Sequence, residues 1–312
     1  MFSEIWQKIE KSKNIVLASH KNPDGDALGS SLGFFNVLKK KGINAYLFNV
    51  TKQLPPKFDF LKGYDKIKST FPKKCDLLIA FDCGNFDRLG IERGEYPIIN
   101  IDHHRNNSMF GDLNLVDESA PSSSAIVFNM LKELNIEIGK DAANCFYAAL
   151  VEDTGFFSYE SVNKKVFDIA SSMVEAGAEP FFVAKNLRER NSLGRMRLTA
   201  LFINSLKLYK NATIACGIVT QEMFKKTGAL RSDAEHLCNL ARSLATVELS
   251  ILYIEEEDGK FKVSLRSKNF IDVSKIALRF NGGGHKRSAG FETTEKDLYS
   301  LTKKIIKASG IL

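Results

Sequence analysis

Three of the five histidines in this chain sit at the ends of short apolar runs, each close to an aspartate. Residues 14–19 (NIVLAS) lead into His20-Lys21-Asn22-Pro23-Asp24-Gly25-Asp26, residues 75–82 (CDLLIAFD) end in Asp82, and residues 97–102 (PIINID) end in Asp102-His103-His104. A helical pattern over residues 141–152 runs out into Glu152-Asp153-Thr154-Gly155. The apolar runs, with residues 44–49 (NAYLFN), have the length and content of buried strands. Helical patterns over 27–40, with Gly42 as a stop, and over 122–134 and 141–152 alternate with them. That alternation predicts right-handed strand–helix–strand units and a largely parallel sheet. In an open sheet of this kind, sites form outside the carboxyl ends of the strands, so the clusters are expected to converge.

Aspartate and histidine together suit Mn²⁺, Fe²⁺ or Zn²⁺, and Mg²⁺ where carboxylates dominate. Several aspartates placed together repel one another and resist ionisation unless cations neutralise them. Two divalent ions about 3.5–4 Å apart, sharing a carboxylate, clamp the attacking and leaving oxygens of a phosphoryl displacement. Each piece alone has a plainer reading. Pro23-Asp24-Gly25 are turn formers, Asp26 can simply cap a helix beginning at Ala27, and Asp82 is a single acid at a strand end. The adjacent His103 and His104 are the most informative, whereas His236 reads as an ordinary helix residue.

Residues 185–210 are helical and basic, with an interruption at 192–194, and read as a connection between domains. The expected organisation is a catalytic domain over 1–185, a helical linker over 186–211 and a smaller α+β domain over 212–312. In the last, strands are expected at 213–219, 247–255 and 261–266, the latter two joined through Asp258-Gly259. Helices are expected at 232–244, 273–280 and 295–308. The run Asn281-Gly282-Gly283-Gly284-His285-Lys286-Arg287 lets backbone approach a ligand, and its N–H groups could form an anion nest. Arg266 could grip a phosphate through two parallel hydrogen bonds. The plainer alternatives are a flexible helix-to-strand connection and a surface arginine.

At 312 residues the chain is long enough for two domains. Its net charge of +7 favours polyanions such as nucleic acids and phosphate esters, although a lysine-rich habit gives the same surplus. The five cysteines form no CxxC pair, and their odd number fits a reduced, cytoplasmic chain. The charged, amphipathic beginning is not a signal peptide. The longest apolar runs, about eight residues, fall short of the roughly 18–20 that span a bilayer.

In order and content, these motifs resemble the DHH/DHHA1 phosphoesterase superfamily. The matching motifs are Ser19-His20 through Asp24-Gly25-Asp26 to Gly29-Ser30, then Asp82, then Asp102-His103-His104-Arg105, then Asp153-Thr154-Gly155. Gly282 to His285, with Ser288-Ala289-Gly290, resembles the DHHA1 signature. The resemblance implies an α/β DHH domain with a parallel sheet flanked by helices, a helical linker and a smaller α+β DHHA1 domain. It implies that His20, Asp24 and Asp82 hold one metal, and that Asp26, Asp82, His103 and Asp153 hold another, Mn²⁺ being the usual ion. Asp102 would orient a histidine, and His104 would stand beside the scissile phosphate as a proton donor. Arg105, Arg266, Gly282, Gly283, Gly284 and His285 would contact the substrate.

Within the superfamily the chain is most similar to the stand-alone oligoribonuclease branch that also dephosphorylates 3′-phosphoadenosine 5′-phosphate (pAp). Short oligonucleotides and nucleotide phosphates are then the expected partners, and family analogy permits a homodimer. The glycine-histidine run argues against pyrophosphate. A phosphodiesterase of cyclic or linear dinucleotides, and a nucleotide-binding protein without turnover, are the rival expectations. Glu152 has no assigned role.

Overall fold

The apolar runs pair in parallel in the computed structural model, which describes residues 1–311. The strands β1 (Ile15–Ser19), β2 (Ala45–Phe48), β3 (Leu77–Phe81), β4 (Ile98–Asp102) and β5 (Leu113–Val116) form one sheet in the order β2-β1-β3-β4-β5. The edge strand β5 was not expected; its run is short and half-polar. β1, β3 and β4 are buried along their whole length, the condition under which parallel strands lose polar alternation. The helices of this unit are α1 (Phe2–Lys11), α2 (Gly25–Lys40), α3 (Ser123–Glu133), α4 (Lys140–Asp153), α5 (Lys164–Glu175) and α6 (Pro180–Arg188). Helices α1 to α4 bury one sheet face through residues such as Ile9, Leu28, Phe34, Phe128 and Phe146. Loop residues including Phe71, Tyr96 and Phe110 cover the other face.

The packing of α2 on α4 sets the position of the acidic residues. A Cβ on Gly29 would lie 2.5 Å from the Cys145 carbonyl oxygen and 2.6 Å from Ala149 Cβ. One on Gly33 would enter the Phe146 ring, and one on Gly25 would lie 2.8 Å from Glu152 Cβ. Three glycines on one helix face thus let two antiparallel backbones approach closely. The start of α2, with Asp24 and Asp26, is thereby brought to the end of α4, with Asp153. The cap of α2 is Asp24, which accepts from the amides of Asp26 and Ala27; Asp26 is therefore not spent as the cap.

The chain divides into two compact units, Met1–Arg190 and a second beginning at Asn191. The segment expected as a linker is shared between them. α6 belongs to the first unit, while α7 (Leu193–Ser205) buries Leu198 and Phe202 in the core of the second. The second unit contains β6 (Lys207–Tyr209), β7 (Ile214–Val219), β8 (Leu249–Glu255), β9 (Phe261–Ser267), β10 (Gly283–His285) and β11 (Ser288–Thr293), in the order β10-β11-β9-β8-β7-β6. Only β7 and β8 pair in parallel. α7, α8 (Gln221–Thr227) and α9 (Leu237–Arg242) contribute to the core on one face, and α10 (Val273–Leu278) and α11 (Leu298–Ser309) to the core on the other. The single helix expected at 232–244 is broken into a 3₁₀ turn, Arg231–Ala234, followed by α9.

One acid organises an end of this second sheet. Glu248, just before β8, is 5% exposed. Its carboxylate accepts from the amides of Asn269 (2.9 Å), Phe270 (2.9 Å) and Ile271 (3.1 Å), and from Asn269 Nδ2 (3.1 Å). Burial opposes ionisation, but these donors outweigh it and hold the carboxyl below its usual range. A depressed folded-state pKa adds stability above the ordinary carboxylate range and loses it as pH falls through the folded value. Glu248→Gln should therefore cost about 1.5–3 kcal/mol at neutral pH. The gap from wild type, measured by urea unfolding, should narrow as pH is lowered toward 4; a constant gap would show that the charge plays no part.

Candidate active site

The sheet delivers the site residues from separate strands. His20 follows β1, Asp82 follows β3, and Asp102 ends β4 with His103 and His104 just beyond. α2 and α4 add Asp24, Asp26 and Asp153. Asp82 has φ +54°, a left-handed conformation that a non-glycine residue adopts only where its surroundings impose it. Its two oxygens serve two histidines: Oδ2 lies 3.6 Å from His20 Nε2, and Oδ1 lies 3.6 Å from His103 Nε2. His20 Nε2 is also 3.9 Å from Asp24 Oδ1. His103 Nε2 is 3.4 Å from Asp153 Oδ2 and 4.0 Å from Asp26 Oδ2. Two groups result, His20-Asp24-Asp82 and Asp26-His103-Asp153, each with its ligand atoms within 4.8 Å of one another. Asp82 touches both, and with His103 and His104 it forms a third such group.

The histidines are presented in one tautomer. His20 Nδ1 lies 2.8 Å from the Lys21 carbonyl oxygen, and His103 Nδ1 lies 3.3 Å from that of Ala120. A carbonyl can only accept, so Nδ1 carries the proton and Nε2 is left as the ligand atom. Asp26 is held by the start of α3: its oxygens accept from the amides of Ser123 (2.6 Å) and Ser124 (3.0 Å) and from the Ser30 hydroxyl (3.2 Å). The Ser123 hydroxyl donates to Asp82 Oδ1 at 3.1 Å.

Charge in the cluster is unbalanced. Burial, then repulsion from Asp82, pushes the Asp26 carboxyl up to about 7. Burial and Asp26 likewise push Asp153 well above its usual range. Burial would lower His103, but Asp26, Asp153 and Asp82 outweigh it and raise the imidazole to about 9. Among the described residues, the ion-pair partners of Asp24, Asp26, Asp82 and Asp153 are histidines, with no lysine or arginine. Nitrogen and carboxylate donors aimed at common points, with surplus negative charge and no thiolate, fit divalent cations of the Mn²⁺, Fe²⁺, Zn²⁺ or Mg²⁺ kind.

Asp102 stands behind this cluster. It is fully buried, with Oδ1 2.7 Å from His104 Nδ1 and Oδ2 accepting from Asn107 Nδ2 at 2.5 Å. The hydrogen bond to Asp102 raises the His104 pKa. Glu152 turns away from the cluster and pairs with Lys57 at 2.6 Å. Arg105 is not part of the cluster either: its side chain is 86% exposed and lies 3.5 Å from Glu118. The supporting Ser123, Ser124 and Asn107 did not stand out in the sequence, and Ser30 lay within the first motif without an assigned role. The serine run after Pro121, opening a helix, was the available signal for the first two; Asn107 has none.

In the second unit, the strand register sets His285, Ser288, Arg266 and Ser250 in one row across β10, β11, β9 and β8. Two residues along, and so on the same face of the sheet, the row contains Gly283, Gly290 and Ser264. Gly283 and Gly284 belong to the exposed strand β10, which pairs with β11, with Gly284 at φ +139°; the run is neither the anion nest nor the flexible connection that the sequence left open. Gly282 and Gly284 are required by packing, since a Cβ at either would strike the Gly290 oxygen or Ala289 Cα. A Cβ on Gly283 would meet nothing within 4 Å.

If the cluster holds divalent cations, they stabilise the folded chain by mass action. The unfolding midpoint should rise with Mn²⁺ concentration, the unfolding free energy gaining about 2.7 kcal/mol per site at a hundredfold excess over Kd. Asp82→Ala should abolish that response in thermal melts; an undiminished response would remove Asp82 from the ligand set.

Residues 14–150 match the DHH family, N-terminal domain, and residues 216–309 match the DHHA1 domain. The chain is 28% identical to a probable bifunctional oligoribonuclease and PAP phosphatase of Streptococcus mutans, over 98% of this chain and 99% of that one. It is 27% identical to the bifunctional oligoribonuclease and PAP phosphatase of Bacillus subtilis, over 93% and 92%. In fold it resembles an exopolyphosphatase-related protein from Bacteroides fragilis, with TM-score 0.91 and 24% identity over 99% and 96% of the two chains. A parallel sheet carrying the Asp and His cluster, followed by a mixed sheet carrying the glycine-histidine hairpin, matches that division, and the chain belongs to the DHH/DHHA1 family.

Proposed function

We propose that this protein is a metal-dependent phosphoesterase that hydrolyses short oligoribonucleotides to mononucleotides and removes the 3′-phosphate of pAp. The observation that carries this reading is the shared position of Asp82, with Oδ2 toward His20, which groups with Asp24, and Oδ1 toward His103, which groups with Asp26 and Asp153. The two full-length relatives named as oligoribonuclease and PAP phosphatase support the choice of substrate.

His20, Asp24 and Asp82 would hold one cation, and Asp26, Asp82, His103 and Asp153 the other, with Mn²⁺ our choice of ion. Bound there, the cations supply Lewis-acid polarisation of the phosphoryl group and acidification of water. The chain's own residues do the rest. Ser123 and Ser124 fix the Asp26 carboxylate, and the Ser123 hydroxyl fixes Asp82. Asp102 accepts from His104 Nδ1, which aligns the ring and favours its protonated form. His104 Nε2–H is the proposed proton donor to the leaving oxygen as the P–O ester bond breaks and water's oxygen joins phosphorus, with the proton lost by that water passing to solvent, which reprotonates His104. Asn107 holds the other Asp102 oxygen, so that the aspartate cannot swing away. In the second unit, Arg266 and His285 are the proposed phosphate contacts, and the open backbone of Gly283 is the proposed place of close approach. Arg105, exposed beside Glu118, is at most a peripheral contact. Among the described residues no helix is long and apolar enough to cross a membrane; a cytoplasmic location and a homodimer complete the reading.

A matched panel in Mn²⁺ tests the assignment: pAp, a 5′-phosphorylated diribonucleotide, a five-residue RNA, linear and cyclic diadenylate, and pyrophosphate. AMP from pAp and mononucleotides from the short RNAs are expected. Preference for the cyclic compound would move the protein to the cyclic-dinucleotide phosphodiesterases, and silence across the panel would leave only a binding role. Asp82→Ala should lose activity by several orders of magnitude while remaining folded by circular dichroism. Gly283→Ala should raise KM at least several-fold and leave the melting temperature unchanged. A lowered melting temperature with normal KM would show that the glycine serves packing instead.

A further inference from the structure

Phe270 is 70% exposed, yet the backbone on either side of it is tied from both edges. On one edge, the amides of Asn269, Phe270 and Ile271 donate to Glu248. On the other, the Arg287 guanidinium donates to the carbonyls of Asn269 and Ile271, and the Ser267 hydroxyl donates to Ile271 O at 2.6 Å. A buried anion and a cation thus grip opposite sides of a three-residue loop. Ile271 is turned inward, 6% exposed, while the Phe270 side chain is left in solvent. A lone exposed phenylalanine on a mobile loop needs no explanation. A phenylalanine whose backbone is clamped on both edges is an exposed aromatic side chain anchored at a fixed place.

The loop is also stitched to the hairpin that carries His285. Arg287 lies between His285 and Ser288; its carbonyl accepts from the Ser267 amide at 3.2 Å, and the Lys286 carbonyl accepts from the Val273 amide at 2.9 Å. Arg266, in the same row as Ser288 and His285, immediately precedes Ser267. Phe270 therefore follows the end of β9 at which Arg266, in one row with Ser288 and His285, lies. Cationic and hydroxyl groups beside an anchored aromatic side chain suit a nucleotide, with phosphate on the first and base on the second. Base–aromatic stacking tolerates any base, because every base has a π-face.

We propose that Phe270 is the stacking platform for a nucleobase of the substrate, and that Glu248 and Arg287 are positioning residues that hold it beside Arg266, Ser288 and His285. This rests on the nucleotide-hydrolase reading above. The test compares pAp with its abasic counterpart, ribose 3,5-bisphosphate, on the full-length protein in Mn²⁺. Phe270→Ala should raise KM for pAp about tenfold or more, leave kcat near wild type and leave KM for the abasic compound unchanged. Phe270→Trp should restore the wild-type KM. Glu248→Gln should raise KM for pAp in the same direction, with the abasic compound again unaffected. Independently of turnover, the fluorescence of 2-aminopurine riboside 5′-monophosphate, a product analogue, should be quenched on binding to wild type and to Phe270→Trp but not to Phe270→Ala. Equal quenching and equal KM in wild type and Phe270→Ala would overturn the stacking proposal while leaving the hydrolase reading intact. Equal losses on pAp and the abasic compound would also overturn it, as would failure of Phe270→Trp to rescue. A wild-type protein that neither binds nor hydrolyses any nucleotide would overturn both.

Discussion

Buried negative charge is the constraint on which the first unit depends. Asp26 and Asp82 are almost wholly enclosed, and Asp153 faces them across His103. Carboxylates removed from water and set against each other are unfavourable unless something positive lies between them. The surrounding structure prepares for that. Nε2 atoms are turned toward the acids by carbonyls behind the rings, serine amides and hydroxyls hold the acids in place, and Asp82, on a backbone with positive φ, presents one oxygen to each of two histidines. The site is built for occupancy, and its cost without cations is electrostatic.

Much of this was legible in the sequence, and for a physical reason. Residues at strand ends of a parallel sheet must lie at one edge, so apolar runs ending in His20, Asp82 and Asp102-His103-His104 announced their own convergence. The family resemblance added a sorting of ligands into two sets; in the structure His20, Asp24 and Asp82 lie together, as do Asp26, His103 and Asp153. What stayed hidden depends on packing in three dimensions. Gly25, Gly29 and Gly33 are one residue type at helical spacing, but only the presence of α4 shows why a side chain cannot fit there. The plainer reading of Asp26, a helix cap, fails because Asp24 takes that task. The roles of Asn107 and Glu152 rest on contacts with residues far from them in the fold's logic: an acid behind His104 in one case, Lys57 in the other.

The second unit shows the opposite balance. Its glycine-rich signature was conspicuous, but glycine runs do not state their conformation, and the ladder with β11 decided for a strand. The helical, basic segment that read as a linker contributes α7 to a core, because burying Leu198 and Phe202 against the sheet outweighs the polar character of the helix as a whole. Glu248 carried no motif at all. Its importance appears only when the donors around it are identified.

The close approach of α2 to α4 has a consequence beyond stability. The two helices approach to within the thickness of a glycine backbone at Gly29, and at one shared end of the pair α2 carries Asp26 and α4 carries Asp153. Their spacing is therefore a ruler for the distance between two carboxylates. A methyl group added at Gly29 or Gly33, a turn or more along the helix from either acid, would widen the ruler and with it the cage for a cation. Core volume and ion affinity are in this way a single evolutionary variable: the chain cannot drift in one without retuning the other.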